Sequence, residues 1–310
     1  MRATRQQRDH LHDAPVDSLN IAVVSRDPAE REAIAERFDS APPGWCVTLF
    51  EERPPGADIV VRGPDVAVDA DVVFDPDNPE RLLTDVEALT AESSKTYVVT
   101  GAGRGTGVTS AAVHLAGSLA GSHETCFVDL DSSWAGARDR LGVGGRTVLT
   151  WADVGDDAAG LRRAAIPVAG GFRALLAPLS GDPPDGLMER VRTSFRHVVV
   201  DLPAGESDHG ALRSAAAALL LVPPTPAGLA RARVVLARPA RRWAVIVSRT
   251  GHGGEAGRAE IEERLQRKVA VELPCTPLLR DAEDQGRLLR GPWTRYNRRI
   301  ARLAAGLEAL

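Results

Sequence analysis

A glycine-rich loop is the segment of this chain whose residues are best suited to chemistry. Gly101, Gly103, Gly105 and Gly107 follow a β-branched run and precede a helix-forming run. In such a strand–loop–helix turn, the backbone amides wrap a phosphate and the helix N-terminus faces it. The lysine that normally follows the last glycine and neutralises the phosphates is replaced here by Val108. The sequence therefore predicts a phosphate-binding loop that lacks its main positive charge.

Hydroxyl and carboxyl groups that could bind a Mg²⁺ ion occur in the loop and at the ends of two apolar runs. Thr109 occupies the loop position whose hydroxyl normally binds Mg²⁺. Asp129 and Asp131 follow one apolar run, and Asp201 ends another. A hard cation prefers such oxygen ligands, and a second acid can orient an attacking water. We therefore expect Thr109 and Asp201 to hold Mg²⁺, and Asp131 to be the catalytic residue that orients water in any hydrolysis. The alternative is that these acidic residues only form turns.

Alternating strands and helices would position these groups. Near-continuous apolar runs predict strands whose two faces are both covered by helices. The predicted strands are 96–101, 126–130, 173–176, 197–201, 218–222 and 243–247. The predicted helices are 108–120, 185–194, 208–216, 227–237 and 256–266, followed by a mostly helical segment at 280–310. The fold class is therefore α/β, a doubly wound and mainly parallel sheet of P-loop type, in which ligands bind beyond the carboxyl ends of the strands.

A smaller α/β unit precedes this sheet. The pattern predicts strands at 21–24, 45–50, 58–61 and 71–74, and a helix at 28–38. Together these elements predict that residues 19–88 form a separate domain. The polar stretch 89–95 is predicted as a linker to a second domain, 96–310. Residues 1–18 are polar and have no apolar core, which predicts a disordered leader rather than a signal peptide.

Composition argues against several classes of function. The 310 residues carry a net charge of −4, which gives no overall attraction to DNA, so nucleic-acid binding is not expected. No apolar run approaches the ~18–20 residues that span a bilayer, so we expect a cytoplasmic protein. Cys46, Cys126 and Cys275 are far apart and fit neither a disulfide framework nor a metal site. We expect them to be small buried side chains.

Segment 96–290 resembles the ParA/MinD superfamily of deviant Walker-A proteins, and within it the CpaE/TadZ branch and its actinobacterial septum-site-determining relatives. The matching segments are the loop 101–110, Val128–Asp131, Leu149–Asp153, Val198–Pro203, Leu273–Pro277 and Asp284–Leu289. The resemblance implies a homodimer that binds ATP and Mg²⁺ and positions a Tad-type pilus or secretion system, or regulates septum formation. It also implies partners, which are the secretion or pilus ATPase or cell-division proteins, and recruitment by them to the pole, septum or membrane.

The same resemblance implies which residues bind the nucleotide. They are Gly103, Arg104, Gly105, Thr106, Gly107, Val108, Thr109, Ser110 and Arg249. The family's signature cation aligns with Gly103, and Arg104 one place later would serve as its substitute. Ser248–Arg249 matches the pair that contacts adenine but lacks its amide, and Thr276 replaces a further acid. Because each departure weakens nucleotide binding, we favour a pseudo-ATPase, with a slow Mg²⁺-dependent ATPase of the ParA/MinD type and a DNA-partition protein as alternatives.

The N-terminal unit fits the degenerate receiver domain that precedes the P-loop domain in these relatives. Ser25-Arg26-Asp27 supplies one acid where a receiver has a pair, and Arg62 or Gly63 stands where the phosphoacceptor would be. We therefore expect docking or dimerisation rather than phosphorylation.

An apolar stripe marks the last helix. Ile300, Leu303, Leu307 and Leu310 recur at helical spacing, with arginines clustered towards one end. We expect this stripe to pack on the sheet, with membrane docking as the alternative, so any membrane contact is indirect or weak.

Overall fold

Two compact units, divided between Ser93 and Ser94, make up the chain. The computed structural model describes residues 19–41, 45–54, 57, 59–132, 136–144, 147–154, 158–204, 210–237, 242–250, 256–289, 291 and 293–308. The predicted leader, 1–18, lies outside the described residues.

The first unit contains a four-stranded parallel sheet in the order β2-β1-β3-β4. Its elements are β1 (Leu19–Val24), α1 (Pro28–Arg37), a 3₁₀ turn (Phe38–Ser40), β2 (Trp45–Phe50), β3 (Ile59–Arg62), β4 (Val72–Val73) and α2 (Arg81–Ser93). Helix α1 begins after Asp27 because that side chain accepts the amide of Ala29 at 2.9 Å and Pro28 favours the first helical position. Both helices pack on one face of the sheet, α1 through Ile34 and α2 through Val86.

The second unit is built on an eight-stranded sheet. Its strands are β5 (Lys95–Gly101), β6 (Thr125–Asp129), β7 (Ile166–Pro167), β8 (Arg173–Leu175), β9 (His197–Asp201), β10 (Ala217–Val222), β11 (Trp243–Thr250) and β12 (Val269–Pro274). Its helices are α3 (Val108–Leu119), α4 (Gly136–Arg140), α5 (Ala158–Ala164), α6 (Leu187–Ser194), α7 (Gly210–Ser214), α8 (Pro226–Leu236), α9 (Arg258–Leu265), α10 (Pro277–Asp284) and α11 (Arg295–Glu308), with a 3₁₀ turn at Trp151–Asp153.

The sheet order, β12-β11-β10-β5-β9-β6-β8-β7, confirms the doubly wound α/β prediction. Every described neighbour pair is parallel except β7 with β8. The chain runs from β5 to β6 and β8 on one side, then returns through β9 to β10 on the other. Strand β5 therefore stands where the direction of winding reverses, which is where ligands bind in such sheets.

Helices cover both faces of this sheet, as its apolar strands predicted. Tyr97 and Val99 of β5 face a core shared with α3 and α11, whereas Val98 faces a core shared with α5 and α6. The stripe on α11 packs into the first of these cores through buried Ile300, Leu303 and Leu307, which agrees with packing rather than membrane docking. None of the described helices is long and apolar enough to cross a membrane.

The described elements can be compared with the sequence-based expectations. Within the stretch predicted as a linker, 89–95, α2 continues to Ser93 and β5 begins at Lys95, because polar composition alone does not break a helix in which Glu and Ala are favourable. The segment predicted as mostly helical, 280–310, agrees with the structure, since it contains the end of α10 and the whole of α11. Strand β12 was not predicted, since its exposed and buried residues alternate instead of forming an apolar run.

Candidate functional site

The glycine loop joins β5 to α3 and leaves its backbone open on one side. Gly105 and Gly107 have φ values of 71° and 88°, in the left-handed region that side chains disfavour. A Cβ added at either glycine would meet no heavy atom within 4 Å. The Thr106 hydroxyl donates to the carbonyl of Gly103 at 3.0 Å, and the Ala102 amide donates to Leu221 of β10 at 2.9 Å. The loop is therefore held by contacts within itself and to β10, while Gly105 and Gly107 border empty space.

Two buried carboxyl groups end the neighbouring strands. Asp129 of β6 and Asp201 of β9 are directly opposite in register, and each is only 2% exposed. Burial, and then repulsion from Asp201, raises the pKa of Asp129 well above its ordinary value. Asp129 Oδ1 accepts the amide of Asp131 at 3.0 Å. Asp129 therefore orders the turn that carries Asp131.

Asp201 has a carboxylate oxygen with unused hydrogen-bonding capacity. Its burial raises the pKa to about 7; the Thr109 hydroxyl, which bonds to it, and Arg140 oppose this rise, while Asp131 adds to it. Oδ2 of Asp201 is buried and accepts no hydrogen bond from any described residue. A buried acceptor without a donor costs free energy, so this oxygen suits a ligand that supplies positive charge.

A cavity of about 390 Å³, which we call the loop cavity, brings most of the predicted residues together. Its described lining includes Gly103, Arg104, Gly105, Thr106, Gly107, Val108, Thr109, Asp131, Arg140 and Asp201. Val108, in the lysine position, also packs against the core of the sheet. The apolar side chain is thus accommodated by packing, and it adds no charge to the cavity.

A second cavity, the outer cavity of about 340 Å³, shares part of this lining. Gly105, Thr106, Gly107 and Arg140 border both cavities. The rest of the outer lining includes Ser110, Ser248, Pro274, Cys275, Thr276, Leu279 and Arg280. Of the predicted set, Ser110 lies here, and for Arg249 only the backbone in β11 is described. The expectation that all three cysteines are buried was wrong, because Cys275 follows a strand end and is exposed.

Arg140 borders both cavities although the sequence pattern did not indicate it. It ends α4, and its side chain is 30% exposed. Its Nε lies 3.3 Å from Ser110 Oγ and 3.3 Å from Glu283 Oε2, and its Nη1 donates to the Gly136 carbonyl at 2.8 Å. Nothing in the local pattern distinguishes it from the chain's other arginines, because only the fold brings α4 beside α3 and α10.

The site fits Mg²⁺ and the phosphates of a nucleotide in part. The open glycine loop provides a cradle for phosphate, and Thr109 beside the unpaired oxygen of Asp201 provides two oxygen ligands. The described residues contain no cluster of three or more His, Cys, Asp or Glu side chains suited to a metal. That is compatible with Mg²⁺, which commonly takes one or two protein ligands and completes its shell with phosphate oxygens and water.

Known structures share the fold, although the chain matches no family model and no curated protein sequence. A ParA family ATPase from Chlorobium tepidum TLS is 17% identical with a TM-score of 0.61, over 68% of this chain and 99% of that one. A chain of the MinC:MinD cell division complex from Aquifex aeolicus is 20% identical with a TM-score of 0.62, over 70% and 96%. The septum site-determining protein MinD from Pyrococcus horikoshii OT3, complexed with Mg-ADP, is 18% identical with a TM-score of 0.57, over 69% and 96%. The P-loop part of this protein therefore has the fold of MinD and ParA ATPases.

Proposed function

We propose that this protein is a nucleotide-responsive spatial regulator of the MinD/ParA type, in which binding rather than turnover controls its interactions. The observation that carries the proposal is the loop cavity, where an open glycine cradle adjoins a buried carboxylate oxygen that lacks a donor. Phosphate oxygens would take the amides of the loop, and Mg²⁺ would take Thr109 and Asp201. The Mg-ADP in the Pyrococcus horikoshii relative supports this choice of ligand.

The remaining predicted residues would serve the same nucleotide. Ser110 borders the outer cavity, whose volume beyond the loop would take the sugar and base. Arg249 belongs to β11, next to Ser248 of that lining. Bound Mg²⁺ would neutralise part of the phosphate charge that no loop lysine meets here. Such a site favours nucleotide binding over rapid hydrolysis, since the transition state needs the missing cation most.

We further propose a cytoplasmic homodimer with a CpaE/TadZ-like or septum-site role. Its partners would be a secretion or pilus ATPase or cell-division proteins, which would recruit it to the pole, septum or membrane. The MinC:MinD complex of Aquifex aeolicus supports a protein partner in this fold. The sequence resemblance covers both the CpaE/TadZ branch and its septum-site-determining relatives, so it supports either role.

The first unit would act as a degenerate receiver-like docking domain. Its strand order, β2-β1-β3-β4 with all pairs parallel, supports this because receivers share that order. Arg62 ends β3, and its guanidinium donates to the Val66 carbonyl at 2.8 Å, near where a receiver carries its phosphoacceptor. An arginine in this position gives no site for phosphoryl transfer.

A slow ATPase is the second candidate. Asp131 lines the loop cavity beside Thr109 and Asp201, where it would orient an attacking water. Hydrolysis that persists in purified protein and disappears in Asp131→Ala would favour this candidate. Binding without hydrolysis favours the pseudo-ATPase.

Titration of the purified protein with a fluorescent ATP analogue and Mg²⁺ tests the proposal. Gly107→Arg places a side chain in the open space of the loop, and we expect at least about 100-fold weaker binding. Gly181→Arg is the matched control, because Gly181 also has a positive φ and open surroundings but belongs to neither cavity. Absence of saturable binding by the wild type up to millimolar nucleotide would refute the nucleotide part of the proposal.

Localisation in cells tests the spatial part. A fluorescent fusion of the wild type should concentrate at a pole or septum, whereas the Gly107→Arg fusion should be redistributed if nucleotide controls recruitment. Uniform fluorescence from both fusions would count against a positioning role.

A further inference from the structure

The loop cavity contains two candidates for the missing positive charge. Among its described lining residues, Arg104 and Arg140 are the side-chain cations. A phosphate site without lysine needs such a group, because charge-assisted hydrogen bonds are the strongest contacts available to phosphate.

Arg104 is the weaker of the two candidates. It is exposed on the turn of the loop, where water screens its charge and where holding its flexible side chain against a phosphate costs entropy. Arg231 of α8 also approaches the loop, since a Cβ added at Gly103 would lie 3.3 Å from its Nε. Arg231 is exposed as well, and it belongs to the described lining of neither cavity.

Arg140 is held in place before any ligand arrives. Its Nε donates to the Ser110 hydroxyl and forms an ion pair with Glu283, and its Nη1 donates to the Gly136 carbonyl. Its hydrogen bonds and its ion pair use Nε and Nη1, and the side chain borders both cavities. A guanidinium fixed on two nitrogens retains N–H groups for a phosphate and loses little further freedom on binding one.

We propose that Arg140 is the phosphate-binding cation that replaces the loop lysine, and that Glu283 is the positioning residue that holds it. This inference rests on the proposed function, whose nucleotide it assigns to a particular guanidinium. The cation would then come from α4, the helix after β6, instead of from the loop.

Glu283 is suited to positioning because it is itself constrained. Its side chain is 14% exposed, and Oε1 is buried without a partner among the described residues. Arg140 is its ion-pair partner in α4, so each side chain limits the motion of the other. Replacement of this carboxylate by an amide would loosen the guanidinium without removing it.

Calorimetric titration with Mg-ADP, pyrophosphate and adenosine tests the assignment. Arg140→Ala should weaken Mg-ADP and pyrophosphate about 10- to 100-fold while leaving adenosine unchanged, since only the phosphate contact is lost. Arg140→Lys should fall between the alanine variant and the wild type. Glu283→Gln should weaken Mg-ADP by a smaller factor, about threefold to tenfold. Arg138→Ala is the matched control, because it removes the same charge from α4 while its guanidinium bonds to Ala177 outside both cavities.

The outcomes separate this inference from the function on which it rests. Wild type that binds Mg-ADP no better than Arg140→Ala would overturn the inference and leave the proposed function standing. Wild type that binds neither Mg-ADP nor pyrophosphate would overturn both. Equal loss of adenosine and Mg-ADP in both Arg140 variants would identify a structural role and reject the phosphate contact. Tighter binding by Glu283→Gln would show that Glu283 competes with the phosphate and would overturn its positioning role.

Discussion

Acidic side chains gather at the carboxyl edge of both parallel sheets, but their partners differ. In the first unit, Glu30 accepts the Ser25 hydroxyl at 2.7 Å, and Asp65 accepts the amides of Arg26 and Asp27 at 2.7 and 3.1 Å. In the second unit, one oxygen of Asp201 is buried without a donor beside a cavity of about 390 Å³. The acidic side chains of the first unit have hydrogen-bond donors within that unit, whereas Asp201 of the second unit has an oxygen without a donor among the described residues.

The helices that follow the first strand of each unit repeat this contrast. Helix α1 begins with the side chain of Asp27 bound to the amide of Ala29. Helix α3 begins at Val108, and its N-cap residue, Gly107, has no side chain to cap the first turn. Backbone amides without a side-chain cap can still bind an anion, so the first turn of α3 is suited to a ligand. In α1 the cap occupies such an amide and stabilises the helix instead.

The difference shows how a ligand-binding site can be distinguished from a purely structural cluster of acidic residues at the edge of a parallel sheet. A parallel sheet brings polar groups to its carboxyl edge in either case. The informative property is the unmet hydrogen bond next to open space, since a native fold leaves few buried polar groups unsatisfied. Three substitutions would break or sharpen this comparison.

The largest effect is expected from Asp201→Asn. Burial raises the pKa of Asp201 to about 7, whereas an unfolded Asp titrates near about 3.9. The folded state therefore binds this proton more tightly, so the protonated acid stabilises the fold below about pH 4 and that contribution is lost as pH rises to about 7. Asn mimics the protonated acid, and we expect a gain on the order of 2–4 kcal/mol in unfolding free energy at pH 8 with chelator, and none at pH 4. Urea unfolding at both pH values measures it.

The control for this prediction is Asp65→Asn in the first unit. Slight desolvation raises the pKa of Asp65, but the Arg26 amide and neighbouring hydrogen bonds lower it further, so the net shift is downward. Its stabilising contribution is therefore present above the unfolded pKa and lost as pH falls through the folded one, opposite in sign to that of Asp201. Equal pH dependence in both variants and the wild type would contradict the comparison. Asp201→Asn should also bind Mg²⁺ and nucleotide more weakly than the wild type.

A smaller effect is expected from Gly63→Ala in the first unit. The added Cβ would stand 2.1 Å from Glu30 Oε2 and 2.8 Å from Asp65 Oδ1, so the satisfied cluster must shift. We expect about 1–3 kcal/mol of destabilisation, measured as faster hydrogen exchange in residues 19–41, with nucleotide affinity unchanged. Glu30→Ala in the same chain removes the clashing atoms and should restore part of the protection. A change in nucleotide affinity would mean that the first cluster also serves the ligand.

The smallest effect is expected from Asp27→Ala. Loss of the cap on α1 should cost about 1 kcal/mol, seen as increased exchange confined to the first turn of that helix. Undiminished protection there would show that Pro28 alone is sufficient to start the helix.

The local sequence pattern was sufficient to predict the loop and the strands that position the site residues. The glycine spacing located the turn between β5 and α3, and the apolar runs located β6 and β9, with Asp129 and Asp201 at their ends. Apolar runs could not reveal the short α4, in which Gly136 and Ala137 are the buried residues, or β12, in which buried and more exposed residues alternate. In the first unit, the sequence showed one acid after β1, whereas folding adds Glu30 from α1 and Asp65 from a later loop.

The sequence by itself determined the α/β class, the glycine loop and the loss of its lysine, because these depend on residues close together in the chain. Tertiary structure alone decided that Arg140, Ser110 and Glu283 meet beside that loop and that Oδ2 of Asp201 stays unpaired. The physical reason is distance along the chain. Arg140 is 30 residues from Ser110 and 143 from Glu283 (283 − 140), so their contact exists only once the crossovers have packed α3, α4 and α10 together.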